Sequence, residues 1–285
     1  MRAEHHRVLT SDELLLNGAV FWPDDDPVGA VVLVHGMGGS RLEHPYQWWL
    51  AEAVTAAGWM CVIGDNRGAA TVKEFYDTQE RSRYYGCALE LVTESPADVG
   101  AWCSAAPATV DRIVLAGHSL GASKVVLGAT EDPRIVGLAL LAPADMVALV
   151  ESVPQLARGL EAARPQVAEG RGDRLVDDFQ YEGWSLISGN TLWQWRERGA
   201  EGDVIDGSRP DAVTPLANVS VPIVTIIGGA DTCMVVRPEV GVANLEAQAI
   251  NAPWIESHVL PGVDHHYTDA RDELIQPFVA FLDRV

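Results

Sequence analysis

The stretch RIVLAGHSLG, residues 112–121, decides the fold: an apolar, β-rich run enters a Gly-His-Ser-Leu-Gly turn that opens a helical pattern containing Val125, Val126 and Ala129. Glycines at 117 and 121 permit a tight, strained turn that lifts Ser119 above a sheet, and the helix that follows aims its free N–H groups at the same point. The pentapeptide alone arises by chance in about one chain in ten of this composition, so the strand–turn–helix setting is what makes it informative.

The same rhythm recurs on both sides. Residues 30–34 (AVVLV) lead into a glycine loop and then HPYQWWLAEAVTAAG, where Trp48, Leu50, Ala51, Val54 and Ala57 fall at helical spacing. Residues 60–63, 135–141, 223–227 and 254–260 are further apolar runs, followed by GDNRG, APAD, GGAD and PGVDHH; the last leads to a helix with Leu274, Ile275, Phe278, Val279 and Leu282. Continuous apolar strands alternating with helices predict an α/β chain with a mostly parallel twisted sheet covered on both faces. The alternating segment 7–22 contains Asn17-Gly18 and predicts an edge hairpin turning there. Pro277 predicts a kink or a late start in the final helix. Residues 146–215 contain no β-rich run, and a structureless loop of that length is foreign to a compact domain, so they are expected to form a helical cap inserted into a core of 1–145 and 216–285.

Composition bounds the function. Of 285 residues 48% are apolar and 21% charged, an ordinary globular balance, and 40 acidic against 20 basic side chains give a net charge of −20. Such a surface repels phosphate backbones and anionic headgroups, which argues against nucleic acid and membranes as partners. Cys61, Cys87, Cys103 and Cys233 are widely spaced without a Cys-x-x-Cys or Cys/His cluster, so reduced thiols in a cytoplasmic protein are expected, not a zinc site. The first residues lack the pattern of a secretion signal, and the longest apolar runs fall short of a membrane span.

A serine hydroxyl needs a general base that is itself held by a carboxylate. Only loops at the carboxyl ends of strands converge above Ser119. Asp231 follows IVTIIGGA and His265 follows the last strand, giving the chain order nucleophile, acid, base. Asp145, past another strand end, is the alternative acid, and His266 the alternative base. His35 and His118 are expected to shape loops, Asp65 and Arg67 to form an internal ion pair, and Arg41 to be solvated. Trp184, Trp193 and Trp195 are candidates for a substrate pocket or for packing between cap helices. Cys233 lies near Asp231 but lacks the elbow position of a nucleophile.

The chain resembles the α/β-hydrolases over its whole length, on the strength of Val34-His35-Gly36-Met37-Gly38-Gly39, Asp65-Asn66-Arg67-Gly68 and the Ser119 elbow. That resemblance implies a Ser119–His265–Asp231 triad, with the G-x-x-H spacing from Gly262 selecting His265 over His266. It also implies an oxyanion hole from the Met37 and Leu120 amides, and a serine where dehalogenase- and epoxide-hydrolase-like relatives carry aspartate. The expected chemistry is cleavage of a small or medium-sized, partly apolar ester or thioester through an acyl-enzyme, without metal or organic cofactor. Acyl transfer, lactone or C–C bond hydrolysis and perhydrolysis use the same triad. A non-catalytic ligand-binding protein on this scaffold is disfavoured by the complete set of residues, and GMGGS lacks dinucleotide-binding spacing. Activity is expected to fall as pH drops through the His265 pKa, about 6–7 if unperturbed. Homo-oligomerisation is left open.

Overall fold

In a computed structural model, which describes residues 1–177, 179 and 186–285, the apolar runs join one ten-stranded sheet. Its strands are β1 (Arg2–Leu9), β2 (Leu14–Trp22), β3 (Ala30–Val34), β4 (Met60–Gly64), β5 (Lys73–Asp77), β6 (Ser82–Tyr85), β7 (Ile113–His118), β8 (Ile135–Leu141), β9 (Ile223–Gly228) and β10 (Ile255–Leu260). They lie in the order β10-β9-β8-β7-β3-β4-β2-β5-β6, with β1 paired on β2. From β10 to β4 every pairing is parallel, and the β1, β2, β5 and β6 end is antiparallel. Apart from the half-buried edge strand β10, the parallel strands are buried on both faces, which is why they read as continuous apolar runs.

Alternate residues feed two cores. Val32, Val34, Val62 and Leu115 pack on one face with α2 (Ser95–Cys103) and α3 (Leu120–Leu127). Val31, Leu33, Ile63, Val114 and Ala116 pack on the other with α1 (Pro45–Ala56) and α8 (Arg271–Leu282). Among the described residues between β8 and β9 lie α4 (Met146–Ser152), α5 (Pro154–Ala168), α6 (Gly189–Trp193) and one isolated bridge, Leu175–Ser188. The remaining helix, α7 (Pro238–Gln248), packs beside β9 and β10. No helix among the described residues is long and apolar enough to cross a membrane.

Several local expectations are corrected. The N-terminal hairpin turns at residues 10–13, where the Thr10 hydroxyl accepts the Leu14 amide and Glu13 takes φ +68°, not at Asn17-Gly18. Gly18 sits inside β2 because a Cβ there would lie 2.4 Å from the Trp102 ring. Helix α8 begins at Arg271 and carries Pro277 in its interior, so the proline does not delay the start. Trp48 is exposed and touches Phe21 edge-on; the buried face of α1 is Tyr46, Gln47, Leu50, Ala51, Val54 and Thr55. The β5–β6 hairpin, at the end of the sheet, was not foreseen: KEFYD and SRYY carry too many charges to read as strands, although Phe75 is buried.

Candidate active site

Strands β3, β7, β9 and β10 run parallel, so the loops after them emerge along one edge of the sheet. That edge includes the point where chain order reverses, β3 being followed by β4 on one side and flanked by β7 on the other, the usual place for a ligand in such sheets. Ser119 sits there between β7 and α3 with φ +57° and ψ −124°, a backbone conformation that costs about 1–3 kcal/mol and persists only under surrounding constraint. The constraint is close packing of backbone on backbone. A Cβ on Gly117 would lie 2.1 Å from the Gly121 carbonyl oxygen, and one on Gly121 would lie 2.3 Å from that of Val34. The Ser119 amide is tied to the Leu141 carbonyl at 2.9 Å.

The loop after β3 presses against this elbow: a Cβ on Gly36 would come within 2.8 Å of the Ser119 Cβ. His35 sets the loop. Its Nε2 accepts the Asn66 amide at 2.9 Å and its Nδ1 meets the Gly36 carbonyl at 2.8 Å, which assigns the ring proton to Nδ1. Burial, reinforced by the Lys124 ammonium, drives its pKa down to about 3, so the ring stays neutral. Met37 follows in the same loop and lines the cavity; Leu120 opens α3, where the first amides of a helix lack partners within it.

Asp231 and His265 come from the loops after β9 and β10, and glycines bring those loops together. A Cβ on Gly228 would lie 2.1 Å from the Val263 carbonyl, and the Gly229 and Ala230 amides donate to the Leu260 and Val263 carbonyls. The His265 Nδ1 lies 2.7 Å from Asp231 Oδ2, while the buried carboxylate accepts the Cys233 amide on its other oxygen at 2.8 Å. Burial lowers the imidazole pKa, but hydrogen bonding to Asp231 and then Cys233 outweighs it, and His265 is pushed up to about 10, above the ordinary 6–7. His118 bonds through Nε2 to the His265 carbonyl at 2.8 Å, linking the serine elbow to the base loop. Burial and the neighbouring His265 hold His118 well below the usual imidazole range. Among the described residues no hydrogen bond joins Ser119 Oγ to His265. Both line one cavity of about 340 Å³, together with His35, Met37, His44, Tyr46, His118, Met146, Leu149, Cys233 and His266.

The alternatives and neighbours fall into place. His266 lines the same cavity but stacks on His44, with ring centroids 4.7 Å apart. The Asp145 carboxylate caps α4 and is bound by Arg198, the Ser208 hydroxyl and the Gly207 amide, while its own amide donates to Cys233. Trp195 is buried in the larger core and Trp193 lies under the Arg196 guanidinium; neither lines the cavity, whose apolar wall is Met37, Tyr46, Met146 and Leu149. Trp184 lies outside the described residues. Asp65 and Arg67 do not pair with each other: Asp65 binds Arg41 and Lys73, whereas Arg67 is clamped by Asp98 and Asp12. Arg41 is therefore engaged rather than free in solvent. Sequence reasoning missed Tyr46, whose ring packs against that of His118 with centroids 4.7 Å apart.

Fold and elbow together define an α/β-hydrolase, and the comparisons agree. The model of the "Alpha/beta hydrolase family" matches residues 31–276, and the chain belongs to that family. Among solved structures it is similar to Est1E from Butyrivibrio proteoclasticus, with 18% identity, 98% of both chains covered and a TM-score of 0.66. It is also similar to the Pyrococcus furiosus esterase Pf2001, with 18% identity, 99% of this chain and 90% of that one covered and a TM-score of 0.65. A third is the α/β-hydrolase GrgF from a Penicillium species, with 16% identity, 100% and 99% covered and a TM-score of 0.64. No curated protein matches the chain.

Proposed function

We propose that the protein is a serine hydrolase that cleaves a carboxylic ester or thioester of a small to medium-sized, partly apolar substrate. Ser119 attacks the carbonyl as His265 takes its proton, and Asp231 orients the imidazole and stabilises its cation. The Met37 and Leu120 amides meet the developing oxyanion, a contact whose loss costs about 3–4 kcal/mol in such enzymes. The leaving group departs with the proton from His265, and water then hydrolyses the acyl-enzyme. The observation that carries this reading is the 2.7 Å bond from buried Asp231 to His265, which lines the same cavity as the strained Ser119.

The cavity supports the substrate class. Its volume of about 340 Å³ suits a compact acyl group, and Met146 and Leu149 give it an apolar side. We take 146–215 as a cap on a core of 1–145 and 216–285, because α4 supplies that apolar side. A cytoplasmic location belongs to the same reading, supported by four free cysteines, three of them buried. The test is a chain-length series of p-nitrophenyl esters and acyl thioesters, with a fluorophosphonate probe, on wild type and Ser119→Ala. The variant should fold, lose turnover and fail to label; full activity in Ser119→Ala, or an unlabelled wild type, refutes the proposal.

A further inference from the structure

We propose that Asp231, Cys233 and His265 together form a site for a thiophilic divalent cation of the zinc class, whose binding takes the imidazole out of use as a base. The three residues each offer one ligand atom, a carboxylate oxygen, a thiol sulfur and a ring nitrogen, and these atoms all lie within 4.8 Å of one another. The grouping is held by the protein's own bonds. The Cys233 amide donates to Asp231, which folds the turn so that the thiol comes beside the carboxylate, and His265 meets the other carboxylate oxygen.

Zinc bonds of about 2.0–2.3 Å in a tetrahedron place the ligand atoms about 3.3–3.8 Å apart, so closing on the ion needs side-chain shifts of about 1.5 Å or less. One sulfur, one nitrogen and one oxygen suit Zn²⁺ or Co²⁺ over Mg²⁺ or Ca²⁺, which prefer oxygen alone. Cys233 and His265 both face the cavity, leaving the fourth position to water, and a net charge of −20 attracts cations. On binding, the thiol S–H proton and one proton of the imidazolium leave to solvent, and each ligand atom supplies an electron pair. The ring is then neutral, with its remaining proton on the nitrogen away from the metal, and nothing is oxidised or reduced. The spacing hides the site in the sequence, since His265 lies 34 residues beyond Asp231.

Metal binding itself does not depend on the hydrolase reading; inhibition does. The full chain, stripped with a chelator, is titrated with Zn²⁺ by calorimetry and with Co²⁺ by absorption, where a thiolate ligand gives a charge-transfer band. Wild type should bind one ion with that band, and Cys233→Ser or Cys233→Ala should bind about tenfold more weakly or worse and lose the band. A variant of the adjacent pair His5, exposed, and His6, half-buried, on β1, His5→Ala/His6→Ala, should keep both. Ester turnover by wild type should be silenced by Zn²⁺ and restored by chelator, whereas each Cys233 variant, measured against its own metal-free rate, should resist. Equal affinity in the Cys233 variants, or cobalt bound without a thiolate band, overturns the proposal. Metal binding with the band but no ester turnover in any variant overturns the hydrolase reading and leaves the cation site standing.

Discussion

Acidification should destabilise the fold through His35, and the amount follows from the bonds this ring makes. Its Nε2 must keep a lone pair to accept the Asn66 amide, so protonation there breaks a buried hydrogen bond and places a charge near Lys124. The folded protein therefore resists protonating His35 until about pH 3, whereas the unfolded chain takes up that proton near the ordinary value of 6.5. Because the folded pKa is the lower one, the contribution is complete above 6.5 and is lost as pH falls from 6.5 towards 3. One proton gives a slope of about 1.4 kcal/mol per pH unit, hence about 2 kcal/mol by pH 5, a sizeable part of a typical stability of 5–15 kcal/mol. The perturbation is His35→Gln, which keeps an acceptor for Asn66 but does not titrate. Denaturant unfolding of both proteins between about pH 7 and pH 5 gives the difference in stability, in which carboxylates and the other histidines cancel. Wild type should lose about 2 kcal/mol relative to the variant over that range. Parallel curves would show that the ring is not held neutral, and the account of the loop after β3 would fall with it.

Further outcomes follow from packing and charge. Gly36→Ala should lower kcat well before it lowers stability, since its methyl group would press on Ser119; kinetics unchanged alongside an unchanged Tm would contradict the close approach. Arg198→Ala should cost about 3–5 kcal/mol in urea unfolding, because Asp145 and Asp206, both fully buried, lose their shared cation; a loss below 1 kcal/mol would mean that those carboxylates are satisfied without it. With chelator present, the acidic limb of kcat/KM should lie alkaline of the usual 6–7, since the imidazole needs more base to lose its proton when Asp231 holds its pKa near 10; a limb at 6–7 would exclude that hold.

Features set by chain-local packing were legible from residues alone. The elbow could be read because Gly117 and Gly121 answer a backbone crowding that any strand–turn–helix of this kind creates. That Asp231 and His265 would meet could be anticipated because parallel strands deliver their following loops to one edge. Features set by distant partners were not. Gly18 looked like a turn residue, but what excludes a side chain there is Trp102, far along the chain. Arg67 and Asp65 stand two apart and point to different partners, because Asp98 and Lys73 reach them first. The tryptophans of 184–195 signalled aromatic burial without saying where: Trp195 serves the core, and the cavity draws on Met146 and Leu149.

The two sides of the cavity are built from different materials. Around Ser119 the walls are cross-stitched by directional bonds: Asn66 to His35, His118 to the His265 carbonyl and the Tyr267 hydroxyl to the Ile226 carbonyl. Facing them, Met146 and Leu149 present pliable hydrocarbon and thioether that meets a ligand by shape alone. Variation can thus accumulate on the soft side, enlarging or trimming the cavity at positions 146 and 149, while the bonded side around Ser119 and His265 keeps its geometry.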